Sequence, residues 1–276
     1  MKSILKKIIN SFLPYQHRYR IKENFKRSIR KIRDFGFTYK CPMCNSSIKK
    51  MLPFGYDFPV LKEKSVIGGG YRLNARCPVC YSVDRERLLY LYLNHKTSLF
   101  KTKTKTTLLH VAPERSLSAI IKQHSHIDYL TADLLSNEVM VNMDITNINY
   151  PDDYFDTVIC NHVLEHIIDD IKAMRELYRV LKPNGWGILQ VPISRTLAAT
   201  YEDSSIVTPE ERENQFGQSD HVRIYASDYL DRLKDAGFQV EEFNWWVDDE
   251  YFSGFTNKFS LLPEETIFVV RKSGAI

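Results

Sequence analysis

The run Phe155 to Ile193, FDTVICNHVLEHIIDDIKAMRELYRVLKPNGWGILQVPI, constrains the fold more than any other part of the chain. Phe155 to Cys160 is apolar and β-branched with no charge after Asp156, the pattern of a strand covered on both faces. From Val163 the apolar positions Leu164, Ile167, Ile168, Ile171, Met174, Leu177, Val180 and Leu181 recur in steps of three and four, which predicts one helix with a single buried stripe. Lys182-Pro183-Asn184-Gly185 should stop that helix, because Pro cannot continue it and Gly accepts the left-handed closing conformation. A second strand is expected over Ile188 to Ile193. Strand, helix, turn and strand make the repeating unit of a parallel α/β sheet.

This unit resembles the fourth and fifth strands of class I S-adenosylmethionine-dependent methyltransferases of the type 11-like branch, which share an "FD-x-[VI]-[IV]…LEH…RVLKP-x-G" run. The resemblance covers Thr107 to Lys272 and includes a bacterial subgroup with a cysteine-rich N-terminal module. It implies a Rossmann-like α/β sheet, mostly parallel with its last strand antiparallel, beside a small zinc-ribbon-like module. The expected organisation is a basic amphipathic helical arm over 1–40, a four-cysteine zinc module with a linking helix over 41–100, and a cofactor-binding methyltransferase domain over 101–276. The closing strands are expected at Phe238 to Trp246 and Thr266 to Arg271, after a helix at Ser227 to Ala236, with Trp245 and Trp246 in the core or at its rim.

Charge is distributed unevenly. Residues 1–40 carry 12 Lys and Arg against two acids, a net +10, and the chain total of +4 therefore leaves −6 for the remainder. Ile4, Leu5, Ile8, Ile9, Phe12 and Leu13 share one helical face until Pro14, with Lys2, Lys6 and Lys7 beside them. No apolar run there is long enough for a secretory core or a transmembrane segment. The arm reads as a helix on an anionic membrane surface, a basic arm for RNA, or an amphipathic helix packed on the body, with a transit peptide as a lesser option. The expected location is the cytoplasm, with peripheral contact at the inner membrane face through residues 1–40.

Cys41-Pro-Met-Cys44 and Cys77-Pro-Val-Cys80 are near-repeats separated by 32 residues. Each pair puts two thiolates on one knuckle, and two knuckles close a tetrahedral site for structural Zn2+. Gly68-Gly69-Gly70 in the intervening loop suits a hairpin or flexible tip. A disulfide framework is disfavoured because nothing marks the chain as secreted. Cys160, inside the predicted strand, reads as a buried apolar thiol.

Open parallel sheets bind ligands beyond the carboxyl ends of their strands. Thr107 to Val111 should be the first strand, followed by His110-Val111-Ala112-Pro113-Glu114 where most of the family has Gly-x-Gly. Ala112 is compatible if its φ stays negative, and Pro113 stiffens the turn. The resemblance implies that Glu114 meets the α-amino group of S-adenosylmethionine, and the cysteine-module subgroup shares this Ala-Pro-Glu form. Asp133, 21 positions after Ala112, ends the second strand at the spacing where an acid receives ribose hydroxyls. Asp144 matches the family acid that pairs with the adenine amino group. Either Asp is also suited to a loop turn. His110, Leu134, Ile145 and Asn161 complete the expected cofactor set.

His162-Val-Leu-Glu165-His166 matches a zinc-peptidase pattern, but it begins at a strand end and no third ligand suggests itself. The preferred reading makes Asn161 and His162 pocket residues, with Glu165 and His166 orienting the loop. Methyl transfer from a sulfonium mainly needs alignment and desolvation, and a hydroxyl or amine acceptor also needs a base. His162 and His221 are the catalytic candidates, each with an alternative as a hydrogen-bonded structural residue. The leading function is a methyltransferase acting on a small-molecule or glycan-type acceptor. The alternatives are an rRNA or tRNA methyltransferase whose zinc module binds RNA, with Tyr15, Tyr19, Phe35, Phe37 and Tyr39 as stacking residues, and a non-catalytic zinc-stabilised interaction module.

Overall fold

The computed structural model describes residues 15–253 and 257–274. The Ile4 to Leu13 face lies outside the described residues, as do the side chains of Tyr15 and Tyr19. Helix α1 (Tyr15–Arg33) is anchored on the cysteine module, where Arg30 Nε donates to the Val79 carbonyl at 3.3 Å and its guanidinium sits 4.8 Å from the Tyr81 ring centroid. Ile21, Phe25, Ile29 and Ile32 stay exposed on it.

The cysteine module consists of two small hairpins. Strand β1 (Phe35–Cys41) pairs antiparallel with β2 (Ser46–Ile48), and β3 (Leu52–Phe54) with a later strand, β5 (Arg72–Arg76). Between them, β4 (Val66–Ile67) leaves the module and pairs with β11 (Ile193–Ser194) of the main body. Helix α2 (Asp84–His95) then buries Leu88, Leu89, Leu91 and Leu93 against the main sheet, in one cluster with Leu108, Ile188 and Val269.

The main sheet holds β6 (Thr106–Val111), β7 (Ile127–Asp133), β8 (Val141–Asn142), β9 (Phe155–Asn161), β10 (Leu181–Gln190), β14 (Gln239–Phe243) and β15 (Ile267–Arg271). Its order is β14-β15-β10-β9-β6-β7-β8; the five strands from β10 to β8 are mutually parallel, and β15 is antiparallel to both neighbours. This is the expected α/β sheet with its last strand reversed. The chain runs from β6 outward through β7 and β8, then returns to place β9 on the other side of β6. That reversal opens a crevice at the carboxyl ends of β6 and β9.

Several boundaries differ from expectation. After α3 (Arg115–Ile121), the long helix starts at Asp170, as α4 (Asp170–Val180), and not at Val163. Asp169 caps it by accepting from Lys172 N at 3.0 Å, while Leu164–His166 forms only a 3-10 turn. The apolar stripe before the cap is real, but β9 ends by turning at His162, with φ 54°, and that turn consumes the residues of a first helical turn. After α4 the chain enters β10 directly, and Asn184 (φ 64°), not Gly185, takes the left-handed position. The expected strand to Ile193 splits into β10 and β11, and β12 (Tyr201–Glu202) then pairs with β13 (Arg223–Ile224). Strand β14 ends at Phe243, after which Trp245–Asp248 is helical; Trp245 is buried and Trp246 half exposed.

Candidate functional site

The carboxyl ends of β6, β7, β8 and β9 surround a crevice of about 490 Å³ whose lining includes Ala112, Asp133, Leu134, Asp144, Ile145 and His162. Six residues expected from sequence thus share one hollow, in the size range of small-ligand sites. The two aspartates also act as turn residues. Asp133 Oδ1 accepts from Leu135 N (2.8 Å) and Ser136 N (2.7 Å), and Asp144 Oδ1 from Thr146 N and Oγ1, both at 2.8 Å. The second oxygen of each takes no hydrogen bond from the described residues.

The first loop overturns one expectation. Ala112 has φ 45°, the left-handed region, where a residue bearing Cβ is disfavoured by roughly 1–2 kcal/mol. Alanine therefore adopts the conformation that glycine usually supplies, held by Ala112 N donating to the Ala132 carbonyl at 2.8 Å. His162 repeats this at the end of β9. Two strained residues thus follow neighbouring strand ends and both line the crevice, the placement in which backbone strain tends to accompany function. Pro113 lines an adjoining hollow of about 400 Å³, shared with Ala112 and Asp133, and does not plug the crevice.

Glu114 lies elsewhere than expected. It turns beneath the crevice, where its Oε2 meets His110 Nε2 at 2.9 Å and its Oε1 accepts from Asn161 Nδ2 at 3.1 Å. Burial opposes its charge, yet the His110 bond and the Asn161 amide outweigh burial and hold Glu114 below the ordinary glutamate range. His110 is itself fully buried and reaches Tyr129 Oη at 2.9 Å. His110, Glu114 and Asn161 thus form a floor that ties β6 to β9, and none of the three lines the crevice.

The floor borders a buried polar cluster to which Arg85, Gln190 and Glu265, none of them expected from sequence, also belong. Arg85, Glu114, Asn161, His162 and Gln190 surround a space of about 10 Å³. Gln190 Nε2 donates to the Thr266 carbonyl at 2.8 Å and approaches Glu265 Oε1 at 3.3 Å. Burial, then the charge of Asp84, pushes the Glu265 carboxyl up to about 7, against the pull of Arg72, Arg85 and Arg195. The glycine loop is part of this region and not a free tip. Gly68 sits at φ 89°, its carbonyl accepts from Arg85 Nη1 at 3.2 Å, and a Cβ there would lie 3.3 Å from His162 Cε1. The only sequence signal for Arg85 was its place in the charged Asp84-Arg85-Glu86-Arg87 start of α2.

Of the two catalytic candidates, His221 is buried and His162 part-buried. His162 borders the crevice with Nε2 unpartnered, and burial, then Arg85, holds it well below its ordinary value. His221 packs edge-on against His166, with ring centroids 4.7 Å apart, and does not line the crevice; burial, then His166, lowers it to about 3.

At the cysteine module, Cys41, Cys44, Cys77 and Cys80 converge with all four Sγ atoms within 4.8 Å of one another. Sulfurs of Cys41 and Cys80 are 3.7 Å apart and those of Cys44 and Cys77 3.8 Å. Zn–S bonds of about 2.3 Å in a tetrahedron place sulfurs about 3.8 Å apart, so the donor set fits zinc, whereas a disulfide needs about 2.05 Å. Among the described residues the buried apolar core here is Ile48, Met51 and Val79 around the thiols, with Tyr39 and Met43 packed at its edge, too little to hold two hairpins without a cross-link. Cys160 is fully buried, and burial raises its thiol, as expected of an inert packing residue.

Module and body are clamped together by Arg87, fully buried, whose guanidinium donates to the carbonyls of Ala75 (3.0 Å), Ser82 (2.9 Å), Phe259 (2.9 Å) and Ser260 (2.6 Å).

Comparisons with known proteins agree with this geometry. The sequence profile of the family described as "Methyltransferase domain" matches residues 104–189. The ubiquinone/menaquinone biosynthesis C-methyltransferase UbiE of Vibrio campbellii is 29% identical over 119 residues, covering 38% of this chain and 46% of that protein. Its counterpart from Proteus mirabilis is 36% identical over 52 residues, covering 19% and 21%. The chain thus spans less than half the length of these curated relatives. Among solved structures, the [4+2]-cyclase SpnF superposes with a TM-score of 0.50 at 16% identity, over 80% of this chain and 100% of that one, a likeness of fold alone. Profile, relatives and sheet order together support a methyltransferase domain of the class I S-adenosylmethionine-dependent type, with the profile match at residues 104–189, joined to a four-cysteine module with the geometry of a zinc site.

Proposed function

We propose that this protein binds S-adenosylmethionine in the crevice and transfers its methyl group to a small-molecule or glycan-type acceptor. The observation that carries the reading is the shared wall of Asp133 and Asp144, each with one oxygen held by its turn and the other uncommitted. In this reading Asp133 receives the ribose hydroxyls and Asp144 the adenine amino group, with Leu134 and Ile145 against the base. In the same reading the left-handed turn at Ala112 lets the backbone approach the ligand. The sulfonium donor is already activated, so the chain's task is to align it with the acceptor and exclude water. His162 borders the crevice, and in this reading a side-chain rotation turns its buried, unpartnered Nε2 towards a hydroxyl or amine acceptor, from which it takes the proton. The names of the curated relatives, C-methyltransferases of quinone biosynthesis, favour a small-molecule acceptor over a polymer.

Calorimetry of the zinc-loaded full chain tests this. Saturable binding of S-adenosylmethionine is expected, and its absence would favour a non-catalytic interaction module. With an acceptor in hand, normal rates in both His162→Ala and His221→Ala would exclude a histidine base.

We infer that α1 rests on an anionic membrane surface. Ile21, Phe25, Ile29 and Ile32 are spaced as one face of the helix and exposed, among Lys22, Lys26 and Lys31. No described helix is long and apolar enough to cross a membrane. Co-sedimentation with anionic but not neutral vesicles is expected. Steeply salt-dependent RNA binding lost on removal of residues 1–40 would instead favour the RNA reading.

A further inference from the structure

The sequence leaves His162-Val-Leu-Glu165-His166 without a third metal ligand, and the fold supplies one. The 3-10 turn Leu164–His166 sets Glu165 and His166 side by side. Val222 N donates to the Glu165 carbonyl at 2.9 Å, which fastens the His221 segment against this turn. We propose that Glu165, His166 and His221 form a second metal site that holds one divalent transition ion at the edge of the crevice.

Three observations carry this. One donor atom from each residue lies within 4.8 Å of the other two. Glu165 is 1% exposed and neither of its oxygens has a hydrogen-bond partner; His221 is 3% exposed and its Nε2 is equally orphaned. A buried carboxylate with both oxygens unsatisfied is costly, and a cation is the partner that satisfies it together with two imidazole nitrogens. His162 Nδ1 stands 3.3 Å from Glu165 Oε1 without making a hydrogen bond. The third observation is the outer support. His166 Nδ1 is 3.2 Å from Asp220 Oδ2, the carboxylate–histidine arrangement that orients a metal-bound ring and leaves Nε2 to the ion.

His166 and Asp220 both line the crevice, so a remaining coordination position opens towards bound ligand. An N,N,O donor set suits Zn2+, Co2+, Fe2+ or Mn2+, in contrast to the thiolate set of the cysteine module. A tetrahedral ion with bonds of about 2.1 Å separates its donors by about 3.4 Å, so closure needs side-chain rotations on the order of 1 Å. The site does not depend on the methyl-transfer reading, since it is tested without cofactor.

The test uses the full chain with zinc in its cysteine site, washed with a mild chelator and titrated with Co2+. Expected is one further Co2+ per chain, with visible d–d absorption but no thiolate charge-transfer band. His166→Gln, at a partly exposed position, and Glu165→Gln should each weaken binding at least tenfold while the melting temperature of His166→Gln stays near that of the parent. No saturable Co2+ beyond the cysteine site, or titrations of both variants that match the parent, would overturn the proposal.

Discussion

Asp133 has two separable tasks, and one substitution distinguishes them. Its Oδ1 holds the loop through Leu135 N and Ser136 N, while the other oxygen is the one assigned to the ribose. In Asp133→Asn the two backbone donors keep the amide oxygen in the turn, which directs the NH2 group into the crevice. The loop should stay folded, but a charged acceptor becomes a neutral donor facing hydroxyls. A hydrogen bond to a charged group is worth about 1.5–3 kcal/mol. At about 1.4 kcal/mol per tenfold in affinity, S-adenosylmethionine should bind about 10- to 150-fold more weakly. Asp133→Ala should lose the turn as well and lower the melting temperature. Calorimetry measures the first effect and a thermal melt the second. If Asp133→Asn binds with parental affinity, Asp133 is a turn residue only and the cofactor pose is wrong.

Other predictions follow from the packing. Arg87→Met removes the guanidinium donor from the carbonyls of Ala75, Phe259 and Ser260, while the Ser82 carbonyl keeps Cys77 N, and should destabilise the protein by at least about 3 kcal/mol in urea unfolding; an unchanged midpoint would mean the module does not depend on this clamp. Cys77→Ser should abolish stoichiometric zinc and unfold the two hairpins, and metal analysis showing a zinc-free parent with the same melt would remove the structural ion. Glu265 has a folded pKa raised from 4.5 to about 7, so its contribution to stability is present in full below about 4.5 and is lost as pH rises to about 7. Between pH 5 and 8 the parent should therefore lose about 2–3 kcal/mol more than Glu265→Gln, and parallel pH profiles would refute this.

Much of the architecture is legible in order of residues because it is set by local periodicity. The apolar run of β9, the stripe of α4 and the acids at strand ends each place a residue relative to its own element. Asp133, Asp144 and His162 meet in the crevice because parallel strands present their carboxyl ends at one edge. The paired Cys-x-x-Cys knuckles are equally readable, since four thiols at that spacing have few other stable arrangements.

What failed to read out was settled by contacts between distant segments. The sign of φ at Ala112 depends on how β6 meets β7, and no property of alanine announces it. Glu114 is drawn down by His110 and Asn161, a partner 47 residues away. Gly68 is docked because β4 pairs with β11, and His221 joins Glu165 and His166 through a backbone bond across 57 positions. Sequence by itself determined the fold class, the four converging cysteines and which strand ends line the crevice, because those follow from hydrophobic period and donor spacing. Only the tertiary structure decided which polar side chains share a buried volume, because burial and pairing are properties of surfaces that come together after the elements have formed.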